Sequence, residues 1–215
     1  MLILSEDLIV SSEADDLFNE INNLSEDEKL NVLNLILSME SAKSQLSREE
    51  TLVNKFGKED YEKNLASLAK IELIKAKMGI RYHLDILDSL DSNELIRLAS
   101  FHKNHDLIIV EKINQLSSVG DYLAIILHEI CHATGHETRL NRLLEGDEYD
   151  YAVEELRAEY ATAKLVKNFG ISSEFINNRK NVIDDWLRVI NNDQAEVVKI
   201  NEDVDDIVNY LKDLT

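Results

Sequence analysis

The stretch His128-Glu129-Ile130-Cys131-His132 constrains this chain more than any other. Two imidazoles four residues apart lie on one face of an α-helix, so both can reach a single ion. A Zn²⁺ ion takes N, O or S ligands at about 2.0–2.3 Å, and a catalytic site keeps one position open to water. Glu129 falls at the edge of the same face, where its carboxylate can take a proton from that water as general base. The preceding residues, LAIIL at 123–127, are apolar and place the start of the helix in the core. Buried imidazoles beside a carboxylate need partners, and a shared metal ion supplies one for all of them.

A third ligand must come from downstream. The pattern H-E-x-x-H-x-x-G-x-x-H requires histidine at position 138. Gly135 fits it, but position 138 is Thr138. His136 stands one residue past that glycine and reads as a polar residue at the cleft rim. The better source is VEELRAEYA at 153–161. Glu155 and Glu159 are four apart and share a helix face, so Glu155 is assigned as the metal ligand, with Glu159 behind it to hydrogen-bond a ligating histidine. Glu154 points about 100° away from Glu155 and is expected to face solvent. Ala158 and Ala161 are small enough to let this helix approach the motif helix closely. Tyr149, Tyr151, Arg157 and His136 are the candidates for stabilising a tetrahedral oxyanion. Cys131 reads as a small buried hydrophobe, not a ligand or redox centre.

The rest of the chain is organised by what it lacks. It has no proline and only six glycines, so long helices capped by Ser, Asp and Gly are expected. Capping boxes at Ser25/Glu28 and Ser47/Glu50 open two helices, the second ending at Gly57, and a third runs from Asp60 to Met78. The period then changes from helical to alternating. Residues 80–87, 97–101 and 107–112 read as three short strands, with Asp91 and Glu94 capping a turn after the first and His102–Asp106 forming a hairpin loop. Ser117 or Ser118 caps the motif helix, which Gly135 ends. An irregular connection covers 139–150. Helices follow from Tyr151 to Asn168, from Ser172 or Ser173 to about Asn192, and over 203–213. The expected fold class is α+β and helix-rich, with a small three-stranded sheet over the H-E-x-x-H helix. An N-terminal helical region at 1–78 precedes the catalytic domain at 79–215. An extended peptide substrate is expected to pair with the sheet edge along 107–112.

Charge narrows the function classes. The chain carries 23 basic and 42 acidic residues, a formal charge of −19. It repels phosphate backbones, so direct nucleic-acid binding is not expected. Residues 1–30 hold nine acids against one lysine, and 141–160 hold seven acids against two arginines. The acidic block at 145–155 favours basic or neutral partners. No apolar run is long enough to span a membrane, the N-terminus lacks the basic stretch of a signal peptide, and a single cysteine fits a reducing cytosol. A cytoplasmic protein is expected. The partner of the N-terminal helices is not legible.

Three blocks carry a family resemblance: IILHEICHATGHETRLNR, then YAVEELRAEYATAKLVKNFGI, then WLRVINND. Together they resemble the zincin-like metallopeptidase domain of ArdC-type antirestriction proteins, over about residues 97–193. The resemblance implies His128, His132 and Glu155 as metal ligands and Glu129 as base. It does not extend to the front of the chain. ArdC-type proteins carry an N-terminal single-stranded-DNA-binding domain, whereas residues 1–78 lack the basic and aromatic interleaving that such a groove needs. The expected function is a zinc metallopeptidase cutting a peptide bond in an intracellular protein, in a regulatory, mobile-element or phage antidefence role. The alternative is an acidic antirestriction, DNA-mimicking or protein-binding module with a structural metal.

Overall fold

The computed structural model describes residues 48–84, 98–110, 113–142, 146–174 and 178–215. The helix expected to open at Ser25 and the capped turn at Asp91 lie outside these residues. Leu52–Thr215 form one compact unit.

Helix α1 spans Lys58–Met78 and closes on Gly79 in the left-handed conformation (φ 70°), as the glycine after Met78 suggested. This helix, placed by sequence in the N-terminal region, shares the compact unit of the motif helix and packs on it. Strand β1 covers Arg81–Leu84, β2 Ala99–His102 and β3 Leu107–Val110. The sheet has three strands in the order β1-β3-β2, with β2 antiparallel and β1 parallel to β3. Along β3, Ile108 and Val110 are buried while Leu107 and Ile109 are partly exposed, the alternation of a strand with one face on a core. Because β3 is paired on both sides, it offers no free edge over 107–110. The expected docking of a substrate strand there is therefore corrected: the first and second strands flank the third.

The motif helix, α2, runs Val119–Ala133 and is the centre of the fold, packed against α1, the sheet and the next helix. Its sequence explains why. VGDYLAIIL is apolar nearly all round, which suits only a helix enclosed on every side. Every residue of α2 is buried except His128 and His132. Two caps fix its start. The Ser118 hydroxyl accepts from Asp121 N at 3.0 Å, and Asp60 Oδ2, from α1, accepts from Val119 N at 2.7 Å. The helix ends at Thr134, which stays right-handed. Gly135 does not adopt a positive φ, so the expected glycine stop is replaced by a side-chain stop described below.

Gly120 is needed for a different reason. A Cβ there would sit 1.8 Å from the carbonyl oxygen of Ser172, where the chain crosses α2. The crossing is held by Ser173 Oγ donating to the buried Asp121 carboxylate at 2.7 Å. Gly120→Ala is expected to destabilise the protein by about 2–3 kcal/mol through this backbone clash. The measurement is a urea midpoint, which should fall with little change in slope. A midpoint equal to wild type would show that residues 171–173 lift away without cost.

Helix α3 spans Glu148–Phe169 and starts three residues earlier than its apolar pattern indicated. Asp147 and Asp150 form a capping box whose acids read in sequence as loop. Gly170 ends it with φ 71°. Helix α4, Lys180–Val189, packs on α3 without burying any residue fully. Helix α5, Gln194–Asp213, begins on the Asp193 cap, well before the expected residue 203, and also lies against α3. Among the described residues, no helix is long and apolar enough to cross a membrane.

Candidate metal centre

His128 and His132 leave the enclosed part of α2 on one side, one turn apart, and α3 crosses that side. Ala152, Ala158 and Ala161 of α3 are fully buried, and α3 packs on α2. The approach brings Glu155 to the histidines. His128 Nε2 lies 3.1 Å from His132 Nε2 and 3.5 Å from Glu155 Oε2, and His132 Nε2 lies 3.7 Å from Glu155 Oε1. Ligand atoms around a tetrahedral ion at ~2.0–2.1 Å sit roughly 3.3 Å apart, so the donor set fits a divalent metal. Each of the three side chains remains 13–14% exposed, which leaves an approach from solvent. Among the described residues, these three form the cluster able to hold an ion.

The rear nitrogens of the two rings face buried carboxylates. His132 Nδ1 donates to Glu154 Oε1 at 3.3 Å. His128 Nδ1 is 3.9 Å from Glu159 Oε1, beyond hydrogen-bond length. Glu159 is instead bound by Arg179, whose Nε donates to it at 2.8 Å. The placement of Glu154 corrects the sequence reading. It is 3% exposed, not solvent-facing, and it occupies the position behind His132. The physical reason is that α3 is covered on two adjacent faces. Glu155 and Glu159 share one, while Glu154, Ala158 and Ala161 share the other. The small residues used to infer close approach lie on the Glu154 face, and that signal was present in the sequence.

Electrostatics follow from this crowding. Burial disfavours a charged ring at His132. The Glu154 hydrogen bond and the charges of Glu155 and Glu129 outweigh it and raise the ring to about 9. Burial also favours a neutral Glu155, but the contact with His128, the charges of both histidines and the Tyr151 hydroxyl hold its carboxyl down to about 2. Glu154 is lowered too. Burial is overcome by His132 and by the Arg142 guanidinium. The centre is thus strongly attractive to positive charge. Cys131 is fully buried next to it, and burial pushes its thiol up to about 12, so it stays a neutral thiol receiving a 3.7 Å contact from the Thr162 hydroxyl.

Glu129 is 7% exposed, and its charge acts on His132. Of the rim candidates, Tyr151 alone is seen in contact with the cluster. Its hydroxyl bonds Glu155, and its ring meets Trp186 edge-on with centroids 5.4 Å apart. Trp186 packs against the core with its Nε1 atom buried and without a hydrogen-bond partner, and its ring forms a wall beside Tyr151. His136 lies in the turn after α2, its Nδ1 bonded to the Thr138 hydroxyl at 2.9 Å. Arg157 is committed elsewhere. Its Nε donates to Asp203 Oδ2 of α5 at 2.7 Å, and Nη1 lies 3.5 Å from Glu154, so it braces α3 instead of facing the open side. Arg142 and Arg179 were not singled out by sequence, because nothing local marks an arginine in a turn or at a helix start as the partner of a buried carboxylate.

The geometry agrees with comparisons to known proteins. Two Escherichia coli proteins named DNA primase TraC are each 32% identical over 116 residues. That match takes in 53% of this chain but only 11% and 8% of theirs. The Mn(II)-bound crystal structure of the antirestriction protein ArdC from plasmid R388 is similar with a TM-score of 0.52 and 25% identity, covering 68% of this chain and 52% of that one. The metal-free ArdC structure matches with a TM-score of 0.51 and 24% identity, over 67% and 50% of the two chains. The family model described as zincin-like metallopeptidase matches residues 91–203, which hold both helices of the centre. With that match extending over more than half its length, the chain belongs to the zincin-like metallopeptidase family.

Proposed function

We propose that the protein is a zinc-dependent peptidase acting on a protein or peptide substrate. The observation that carries this reading is the convergence of His128, His132 and Glu155 with Glu129 adjacent to the first histidine. His128 Nε2, His132 Nε2 and one Glu155 oxygen would hold the ion. When bound, a zinc ion polarises a peptide carbonyl and lowers the pKa of water. The chain's own groups do the rest. Glu129, enclosed at the edge of the motif face, takes a proton from the attacking water and hands it to the leaving amine. Tyr151, beside Trp186, is the side chain best situated to stabilise an oxyanion, by turning its hydroxyl proton from Glu155 to it. Glu154 orients the His132 imidazole from behind, while Glu159, held by Arg179, places a negative charge 3.9 Å behind the His128 ring.

A regulatory or antidefence role is supported by the likeness to ArdC, a protein described as antirestriction. The net charge of −19 favours a second reading, in which an acidic surface binds a defence protein and the ion is structural.

Mass spectrometry of a denatured proteome digest tests the first reading directly. New peptide termini are expected with purified protein, none after chelation, and recovery when one equivalent of Zn²⁺ is restored. Cleavage that persists in excess chelator would sink metal-dependent hydrolysis. Absence of a stoichiometric divalent ion in the purified protein, with no uptake on titration, would sink the metal site itself.

A further inference from the structure

We propose that Arg142 is a positioning residue for the metal centre, acting through Glu154 on the ring of His132. The inference rests on the reading of His128, His132 and Glu155 as metal ligands.

Arg142 lies in the turn that follows the motif helix, yet its side chain is 9% exposed. Its guanidinium bonds four acceptors. Nη2 donates to Glu154 Oε1 at 2.9 Å and to the Cys131 carbonyl at 2.9 Å. Nε reaches Glu154 Oε2 at 3.3 Å, and Nη1 donates to the Thr134 hydroxyl at 2.8 Å. Thr134 in turn donates to the same Cys131 carbonyl at 2.7 Å. The paired contacts to both Glu154 oxygens fix the carboxylate plane, a constraint that a lysine cannot reproduce. Fixing that plane aims Oε1 at His132 Nδ1, and a ring held at Nδ1 presents Nε2 to the cluster.

The same guanidinium satisfies a carbonyl in the last turn of α2, where helix carbonyls lose their partners. Arg139 does likewise for the Ala133 carbonyl at 2.8 Å and ties it to the Met78 carbonyl at 2.9 Å and to Asp106. Two arginines three residues apart thus end α2 immediately after His132. The division of labour is clear from their acceptors. Arg139 bonds carbonyls and a distant aspartate. Arg142 alone joins the helix end to a carboxylate that touches a metal-facing histidine.

A double-mutant cycle on Arg142→Met and Glu154→Gln tests the assignment, with Zn²⁺ affinity measured by chelator competition and Co²⁺ absorption as the spectroscopic readout. Each single change is expected to weaken Zn²⁺ binding by about 10–100-fold and to alter the Co²⁺ spectrum. The double variant should bind no more weakly than the worse single one, because both changes break one chain of contacts. Arg142→Lys, which keeps the charge and folds under milder strain, should also lose about tenfold in affinity. Wild-type affinity in folded Arg142→Lys or Arg142→Met, or fully multiplicative losses in the double variant, would overturn the inference and leave the metal site standing. Failure of wild-type protein to bind Zn²⁺ would instead overturn the ligand reading on which it rests.

Discussion

Glu129→Gln is expected to lower peptide hydrolysis by about 10²–10⁴-fold while leaving a stoichiometric metal ion in place. Glutamine matches glutamate in size, so the buried position is refilled without a cavity or a clash. What is lost is the ability to accept a proton at the edge of the motif face. Glu129 is not one of the three residues that converge on the ion-sized space, so affinity should change little beyond the removal of one nearby negative charge. The measurements are turnover of a cleaved peptide, metal content of the purified variant, and the biological effect in cells. Turnover within a few-fold of wild type would eliminate Glu129 as the base. Loss of turnover with the cellular effect intact would favour the acidic binding module over the peptidase.

His128→Ala is expected to weaken divalent metal binding on the order of 10³-fold, since one of three ligands carries several of the ~10–16 kcal/mol typical of structural zinc. The ring is partly exposed and at the edge of the core, so the folded state should survive in the absence of metal. Thermal scans separate the two effects. With excess chelator, wild type and variant should melt within a few degrees of each other. With Zn²⁺ added, wild type should be stabilised and the variant should not. A variant that keeps wild-type metal affinity would remove His128 from the site. A variant that unfolds without metal present would show that the ring supports the core and not an ion.

The His128 and His132 pair was legible because helical spacing is local. Once the apolar residues before it dictate a helix, i and i+4 must share a face, and no distant contact can change that. Gly79 and Gly170 were legible as helix stops for the same reason, since each takes the left-handed conformation that glycine tolerates at no cost. Glu155 needed a long-range assumption, that α3 packs on the motif helix. Its neighbouring alanines made that assumption physical, and the structure brings Glu155 to the two rings.

What failed was any inference that depended on how many sides of an element are covered. Glu154 was sent to solvent by an angle measured from Glu155, correct as geometry but silent about a second neighbour. The turn carrying Arg142 closes over that face, and the carboxylate is buried because a guanidinium meets it there. The third strand was expected to offer an edge, but the first strand adds beside it in parallel, and strand order is a property of the sheet and not of any one strand's sequence. The way α2 ends, at Thr134 just before Gly135 but without a left-handed glycine, has the same origin. Gly135 has the residue type for a stop, but Arg139 and Arg142 satisfy the last carbonyls from outside the helix. Sequence by itself therefore determined the helix, the face and the donor types of the candidate metal centre, because these follow from backbone period and side-chain chemistry. Only the tertiary structure decided which carboxylate stands behind which histidine and which arginine holds it, because those pairings are made by segments whose meeting no local pattern encodes.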